Sequence, residues 1–391
     1  MPEYYKTPTC PQAASCGGCE WLAVPYPIQL ERKRAALAEL FEPLGVEPQE
    51  VLGMEEPLAY RAKAMTPYQP GPKGTLVHGM YKQGTHKLVP CPSCLAEDPQ
   101  ARPIFETIAQ LCRRFRIKAY DEDRGSGLLR HAVVRCAAAT GQVMVTLVVN
   151  SKEFPRKREF VKALREAHPE VSTVVFNINT RDTNAVLGSR EQVAYGQGWI
   201  EDELCGQTFR IPSSAFYQTN PRQTELLYET AVQLAGLRGG ESVLDAYCGI
   251  GTIGLTASDR AKQVIGVELN GDAVKDAIVN ARLNGVKNCW FTQGDAGRYM
   301  EQMVADGHRC DVVFMDPPRS GSDERFIGSL LKAGPKRIVY ISCNPETLAR
   351  DLDLIYQGGY RVRRIQPVDM FPFTNHVETV ALMTRTDVAK G

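Results

Sequence analysis

Between residues 27 and 44 apolar side chains recur every three or four positions among charged ones, a spacing that predicts an amphipathic helix. From about 58 to 205 the period shortens, and runs at 61–68, 76–81, 132–136, 142–150 and 174–179 read as strands. Helical spacing interrupts them at 101–115 and 156–168. Beyond about 210 the pattern becomes regular. Strands at 242–248, 263–269, 289–293, 311–315, 337–343 and 361–366 alternate with helices at 252–258, 271–284, 323–333 and 346–357, and a final strand covers 377–384. Such alternation predicts a parallel, doubly wound α/β sheet. The change of pattern near 206–215 divides the chain into a mixed α/β region, 1–210, and an α/β domain, 211–391.

A chain of 391 residues is long enough for two or three cores. Its 46 basic and 45 acidic residues nearly cancel, so overall charge identifies no partner. The distribution is less even. Residues 101–150 carry eight Arg and Lys against four acids, and Arg156-Lys157-Arg158 follows. Such a stripe suits either a phosphate-lining surface or an ordinary solvated helix face. The first residues lack the apolar stretch of a secretory signal, and the longest apolar run, 143–149, is far short of the ~20 residues that span a bilayer. A cytoplasmic protein is expected. Disulfides are rare in that compartment, so metal binding or catalysis must occupy some of the 12 cysteines.

Val243-Leu-Asp-Ala-Tyr-Cys-Gly249-Ile-Gly251-Thr-Ile-Gly254 reads as a strand, a glycine turn and a helix start. The glycines allow a ligand to approach the backbone, and the helix offers free N–H groups. The next strand ends in Glu268, placed to accept ribose hydroxyls, and the third is followed by Gly294-Asp295-Ala296, positioned to approach an adenine. Nicotinamide folds share the glycine spacing, but Asp245 and Asp295 shift the balance toward S-adenosylmethionine.

Two later strands end in chemistry. Asp316-Pro317-Pro318-Arg319 closes one and Ser342-Cys343-Asn344-Pro345 the other, with His376-Val377-Glu378-Thr379 beyond them. Ligands bind open α/β sheets at such carboxyl edges. A thiolate, a carboxylate base and polar groups for a carbonyl edge are the parts that C5 methylation of uracil requires. The blander alternatives are a buried core cysteine, a strand-ending proline turn and a solvated edge glutamate.

Taken with Ser213-Ser-Ala-Phe-Tyr-Gln218-Thr-Asn220, Gly127-Leu-Leu-Arg130-His131, Arg135 and Asn177-Ile-Asn179…Asn184…Leu187-Gly188, these motifs resemble the RNA uracil-C5 methyltransferase family. The resemblance covers nearly the whole chain and points to the iron–sulfur branch acting on 23S ribosomal RNA. It implies that Gln218, Tyr247, Glu268 and Asp316 contact S-adenosylmethionine, beside the Gly249 and Gly251 turn. It also implies that Cys343 is the nucleophile and Glu378 the base. Tyr247 stands where the family often has Phe.

Cys10-x5-Cys16-Gly-Gly-Cys19 with a distant fourth cysteine suits zinc or iron–sulfur equally. A lone Cys16-Gly-Gly-Cys19 could instead be a redox pair. The resemblance implies a 4Fe-4S cluster on Cys10, Cys16, Cys19 and Cys94, although counting back to Cys19 would favour Cys91. Some members carry a small RNA-binding β-barrel ahead of the cysteines, and none is expected here. RNA contact then falls to 60–205, with Arg130, His131 and Arg135 as candidates. The expected partner is 23S RNA and the expected state a monomer. The T-loop uridine of tRNA is the alternative substrate. A nicotinamide-dependent oxidoreductase and a non-catalytic RNA-binding protein are the other classes considered.

Overall fold

The computed structural model describes residues 6–82, 84–85, 87–182 and 185–386. Asn184, one residue of the resemblance, lies outside them. Two seven-stranded sheets and a linking hairpin carry the chain. In the first sheet the order is β3 (Leu88–Pro90), β2 (Leu76–Tyr81), β1 (Lys63–Pro70), β4 (Leu129–Cys136), β5 (Val143–Val149), β6 (Val171–Ile178) and β7 (Arg190–Tyr195). Helices α2 (Ala101–Phe115) and α3 (Lys157–Ala167) pack on it. Every residue of β4 and β5 is buried, which explains the nearly continuous apolar run of β5, while β4 buries Arg130, His131 and Arg135 as well.

The second sheet runs β12 (Cys289–Gln293), β11 (Gln263–Glu268), β10 (Ser242–Ala246), β13 (Val312–Met315), β14 (Arg337–Ser342), β16 (Glu378–Arg385), β15 (Tyr360–Val368). Helices α5 (Thr252–Ala257), α6 (Gly271–Leu283), α7 (Ala296–Ala305), α8 (Glu324–Ala333) and α9 (Pro345–Gln357) connect its strands. The doubly wound expectation is met with one departure. β16 enters between β14 and β15 and pairs antiparallel with both, because the loop after β15 turns the chain straight back.

The hairpin β8 (Trp199–Leu204) and β9 (Gln207–Pro212) joins the halves. Its Ile200, Leu204, Phe209 and Ile211 share one core with Met144 and Val175 of the first sheet and with Val243, Val312 and α4 (Pro221–Ala235) of the second. Two asparagines of α6 fasten it. Asn284 accepts from Thr208 N at 2.8 Å and donates to Thr208 O at 2.7 Å, while Asn280 accepts from Arg210 N at 2.8 Å.

The N-terminal helix α1 (Tyr26–Phe41) packs on the second sheet rather than the first, with Leu37 and Phe41 in the core that holds Tyr340, Leu348 and Leu352. Among the described residues no helix is long and apolar enough to cross a membrane.

Candidate active site

The carboxyl edge of the second sheet gathers the predicted residues strand by strand. Register Ser342↔Thr379 between β14 and β16 sets the next two positions, Cys343 and Glu378, across from each other. β13 lies on the other side of β14, so Asp316 leaves the same edge one strand away. Asn344 caps α9 by accepting from Glu346 N at 3.1 Å, and Pro345 occupies the first helical position. That cap turns the chain immediately after the thiol.

These groups feel one another. Burial pushes the Cys343 thiol up, the charges of Glu378 and Asp316 push it further, and Arg319 pulls it down through charge and a hydrogen bond. Burial, then Asp316, lifts Glu378 to about 8 against the pull of Arg319. Burial lifts Asp316 to about 7. One guanidinium thus serves both the thiol and Glu378. Arg319 closes the proline motif, and only that position beside Asp316 could have disclosed its importance in the sequence.

An open cleft of about 750 Å³ lies over the thiol, lined by Cys343, Arg319, His376 and Asn375 with Trp21 and Lys33 from the N-terminal segment. A smaller cavity of about 360 Å³ sits at the opposite, amino-terminal edge of the sheet, by Ser242 and Gln263, away from these groups. The wall from α1 is not foreseeable from local pattern. Lys33, fully buried, donates to Asp369 at 2.6 Å, and Tyr26 donates to the other Asp369 oxygen at 2.7 Å. Gln29 accepts from Phe373 N at 2.8 Å, while Trp21 N donates to Phe373 O at 2.9 Å. These bonds hold Phe373 at φ 65°, a left-handed conformation that is costly for an aromatic residue. The loop from Asp369 to Glu378 is therefore gripped by α1.

The glycine turn lies beside this edge. Gly251 takes φ 87°, and a Cβ there would stand 2.9 Å from the Phe291 ring. Gly254 N donates to Asp245 Oδ2 at 2.8 Å, and a Cβ on Gly254 would meet that oxygen at 2.9 Å. Asp245 is fully buried, and burial raises it to about 8. Glu268 accepts from Gly249 N at 3.1 Å and Asn270 N at 2.7 Å, fixing its carboxylate against the turn. Tyr247, at φ 66°, packs its ring 5.3 Å from Phe326. Asp295 caps α7 by accepting from Arg298 N at 2.9 Å.

Not every candidate comes to this edge. Gln218 lines a separate small cavity with Arg135, Tyr217 and Lys63. Arg130, His131 and Arg135, expected to meet RNA, are buried in β4. Arg130 Nη1 donates to Asn179 O at 3.1 Å and Arg181 O at 2.7 Å, and its guanidinium sits 4.6 Å from the Tyr120 ring. Arg135 donates to Ala215 O at 2.9 Å. Burial lowers His131 to about 4, which keeps it neutral. Their residue types suggested phosphate contacts; in a fully covered strand the two arginines act as internal ties and His131 stays buried and neutral.

Cys10, Cys16, Cys19, Cys91 and Cys94 line one small cavity of about 40 Å³ with Met80, and all five are free thiols. Cys91 donates to Ser93 O at 3.0 Å. Cys94 accepts from Cys91 and from the amides of Ala96 and Glu97, which pulls it down to about 5. Among the described residues no three such side chains reach metal-binding separation, so the thiols converge without forming a coordination geometry.

Residues 25–386 match the family model described as tRNA (Uracil-5-)-methyltransferase. An uncharacterized RNA methyltransferase of Halalkalibacterium halodurans is 40% identical over 98% of this chain and 84% of its own length. Another, from Caldanaerobacter subterraneus, is 42% identical over 98% of this chain and 85% of its own. The solved Pyrococcus abyssi tRNA (uracil-54, C5)-methyltransferase, in complex with S-adenosyl-L-homocysteine, aligns with a TM-score of 0.79 at 27% identity, covering 96% of this chain and 86% of that one. A Rossmann-like sheet with this edge and these relatives defines an S-adenosylmethionine-dependent RNA methyltransferase. The chain belongs to the tRNA (uracil-5-)-methyltransferase family, and the atom it methylates is C5 of a uracil in RNA.

Proposed function

We propose that the chain methylates one uridine of 23S ribosomal RNA through a covalent adduct between Cys343 and uracil C6. The observation that carries the mechanism is the register that faces Cys343 with Glu378 while Asp316 and Arg319 flank them. The Cys343 thiolate adds to C6 and makes C5 nucleophilic. Bound S-adenosylmethionine supplies the electrophilic methyl group. Glu378 then takes the C5 proton, and the electrons of that C–H bond restore the C5–C6 double bond as the thiolate leaves. A carboxyl lifted to about 8 is a stronger base than an exposed glutamate, and burial is the cause. We assign S-adenosylmethionine to Tyr247, Gly249, Gly251, Glu268, Asp295 and Asp316, with Gln218 reaching the cofactor or the uracil once RNA is in place. The target base must leave its stack to enter the cleft.

The ribosomal substrate is supported by the cysteine cavity, a feature of the iron–sulfur branch. Five free thiols around a cavity otherwise lined largely by apolar groups suit a thiolate-held 4Fe-4S cluster. We assign its ligands as Cys10, Cys16, Cys19 and Cys94. Cys94 is preferred because two amides already donate to it, as they do around cluster sulfurs. A second reading, the T-loop uridine of tRNA, is favoured by the likeness to the Pyrococcus abyssi enzyme. An enzyme of ribosomal RNA with reduced thiols belongs in the cytoplasm.

Labelled S-adenosylmethionine offered to unmodified 23S RNA and tRNA side by side, with nucleoside analysis, tests the substrate. The expected result is 5-methyluridine in 23S RNA; label in tRNA alone overturns it. Iron analysis of Cys94→Ser and Cys91→Ser tests the ligand set, with loss expected only in the first.

A further inference from the structure

The basic stretches noted in the sequence converge in the structure at one corner of the first sheet, where α2 ends and α3 begins. Phe115, Phe154, Phe160 and Phe176 form a buried aromatic chain there, with centroids 6.0 Å, 5.0 Å and 4.6 Å apart in successive contacts. Three cations roof it. The Arg114 and Arg156 guanidiniums lie 5.3 Å and 5.1 Å from the Phe115 centroid, and Lys157 Nζ lies 4.4 Å from that of Phe176. Aromatic faces hold such side chains in place at little cost while leaving their donors open to solvent.

Around this roof Arg113, Arg116, Lys118, Lys152 and Arg158 are exposed, and among the described residues none has a carboxylate within ion-pair distance. Chain pairing of residue 119 with 129, and of 129 with 149, brings the Lys118 and Lys152 segments to the same end of the sheet. Glu153 and Glu159 adjoin these cations in the sequence and Asp121-Glu122-Asp123 follows Lys118; of these acids Glu159 pairs with Arg156 at 3.4 Å and Asp121 with Arg124 at 3.7 Å. Backbone conformation adds a separate observation. Arg116 ends α2 at φ 57° and Arg156 starts α3 at φ 52°, left-handed positions where glycine or asparagine would be less strained.

We propose that this corner is a second RNA-binding surface, gripping the phosphate backbone of the substrate RNA away from the uridine at Cys343. It rests on the assignment of RNA as substrate and not on which RNA is modified. None of its residues lines the cleft over the thiol. Aromatic-backed arginines with free donors suit phosphates, and clustered unpaired cations give a strong salt dependence.

The test compares the wild type with Arg113→Gln/Lys152→Gln/Arg158→Gln, using a 30-nucleotide single-stranded RNA without uridine and unmodified ribosomal RNA across a salt series. Each lost phosphate contact lowers the salt slope by about 1, so a drop of about 2–3 is expected, with KM for ribosomal RNA up about tenfold at moderate salt. The turnover number at saturating RNA and the affinity for S-adenosylmethionine should stay at wild-type values. An unchanged slope and KM overturn the proposal, as does a loss confined to phosphatidylserine vesicles, which would make the partner a membrane. Lys152→Glu/Arg158→Glu, outside both aromatic contacts, repeats the measurement without disturbing packing. A wild type that methylates neither 23S RNA nor tRNA would sink the substrate reading, while the slope would still decide this one.

Discussion

Both sheets bury ionisable side chains, and they treat them in opposite ways. In β4 of the first sheet, Arg130 and Arg135 donate hydrogen bonds to the carbonyls of Asn179, Arg181 and Ala215, tying distant loops together. At the carboxyl edge of the second, Glu378 and Asp316 lie in similar shelter, only Glu378 feels a cation, Arg319, and both are pushed up toward neutrality. A buried charge with carbonyl partners stabilises the fold, whereas a buried carboxylate held short of partners gains affinity for a proton, as a base needs. Burial alone therefore does not separate structural from reactive groups; the partners do.

The largest expected effect is at the reactive edge. Cys343→Ala removes the bond-forming atom and should lower methyl transfer at least ~10⁴-fold, with S-adenosylmethionine affinity nearly unchanged. Residual turnover near wild type in a labelled-methyl assay would take Cys343 out of the mechanism.

Glu378→Gln should cost roughly 10²–10⁴-fold and accumulate an RNA adduct that migrates slowly on a denaturing gel. It also carries a stability signature. The folded protein holds its Glu378 proton to about 8, while an unfolded glutamate releases it near 4.5, so wild-type stability falls as pH rises through that window. The Gln variant escapes this fall. Its unfolding free energy should match the wild type near pH 4 and exceed it above pH 8, by a difference on the order of a few kcal/mol, read from melting curves across pH. Parallel melting curves across that range would place Glu378 in water rather than in the core.

Lys33→Met strands Asp369 as an unpaired buried charge and should cost roughly 3–5 kcal/mol in denaturant unfolding. Replacing Asp369 by Leu as well should recover much of it. Smallest is Arg135→Met, at about 1–3 kcal/mol for one buried carbonyl left unpaired. The RNA salt slope should not move with it; a changed slope at full stability would return β4 to the RNA surface and dissolve the contrast between the sheets.

Much of the second sheet was legible because its strands, covered on both faces, read as short apolar runs ending in turn residues. Its edge was legible for the same reason, since Gly249, Gly251, Asp316 and Cys343 all follow such runs. β7 was not, because its Arg190–Val193 stretch is exposed and polar. Helix α7 was hidden by its own cap: Asp295 read as a group aimed at an adenine also starts a helix. Two features that complete the site lay beyond local pattern altogether. Strand order is not written in periodicity, so the antiparallel entry of β16 that faces Glu378 with Cys343 was invisible. The α1 wall depends on a bond between residues 336 positions apart.

That separation has a consequence for how the molecule is made. Helix α1 leaves the ribosome well before Asp369, because the partner of its buried ammonium is synthesised 336 residues later. Until Asp369 arrives, docking α1 would bury a lone cation, so the helix has reason to wait. The contact is about as non-local as the chain allows, and such contacts form late and slowly. The wall over Cys343 therefore closes only after the strand pair β15–β16 is in place. A growing chain carries its reactive thiol in an open, unfinished cleft, and acquires the base and the wall together in the last stage of its folding.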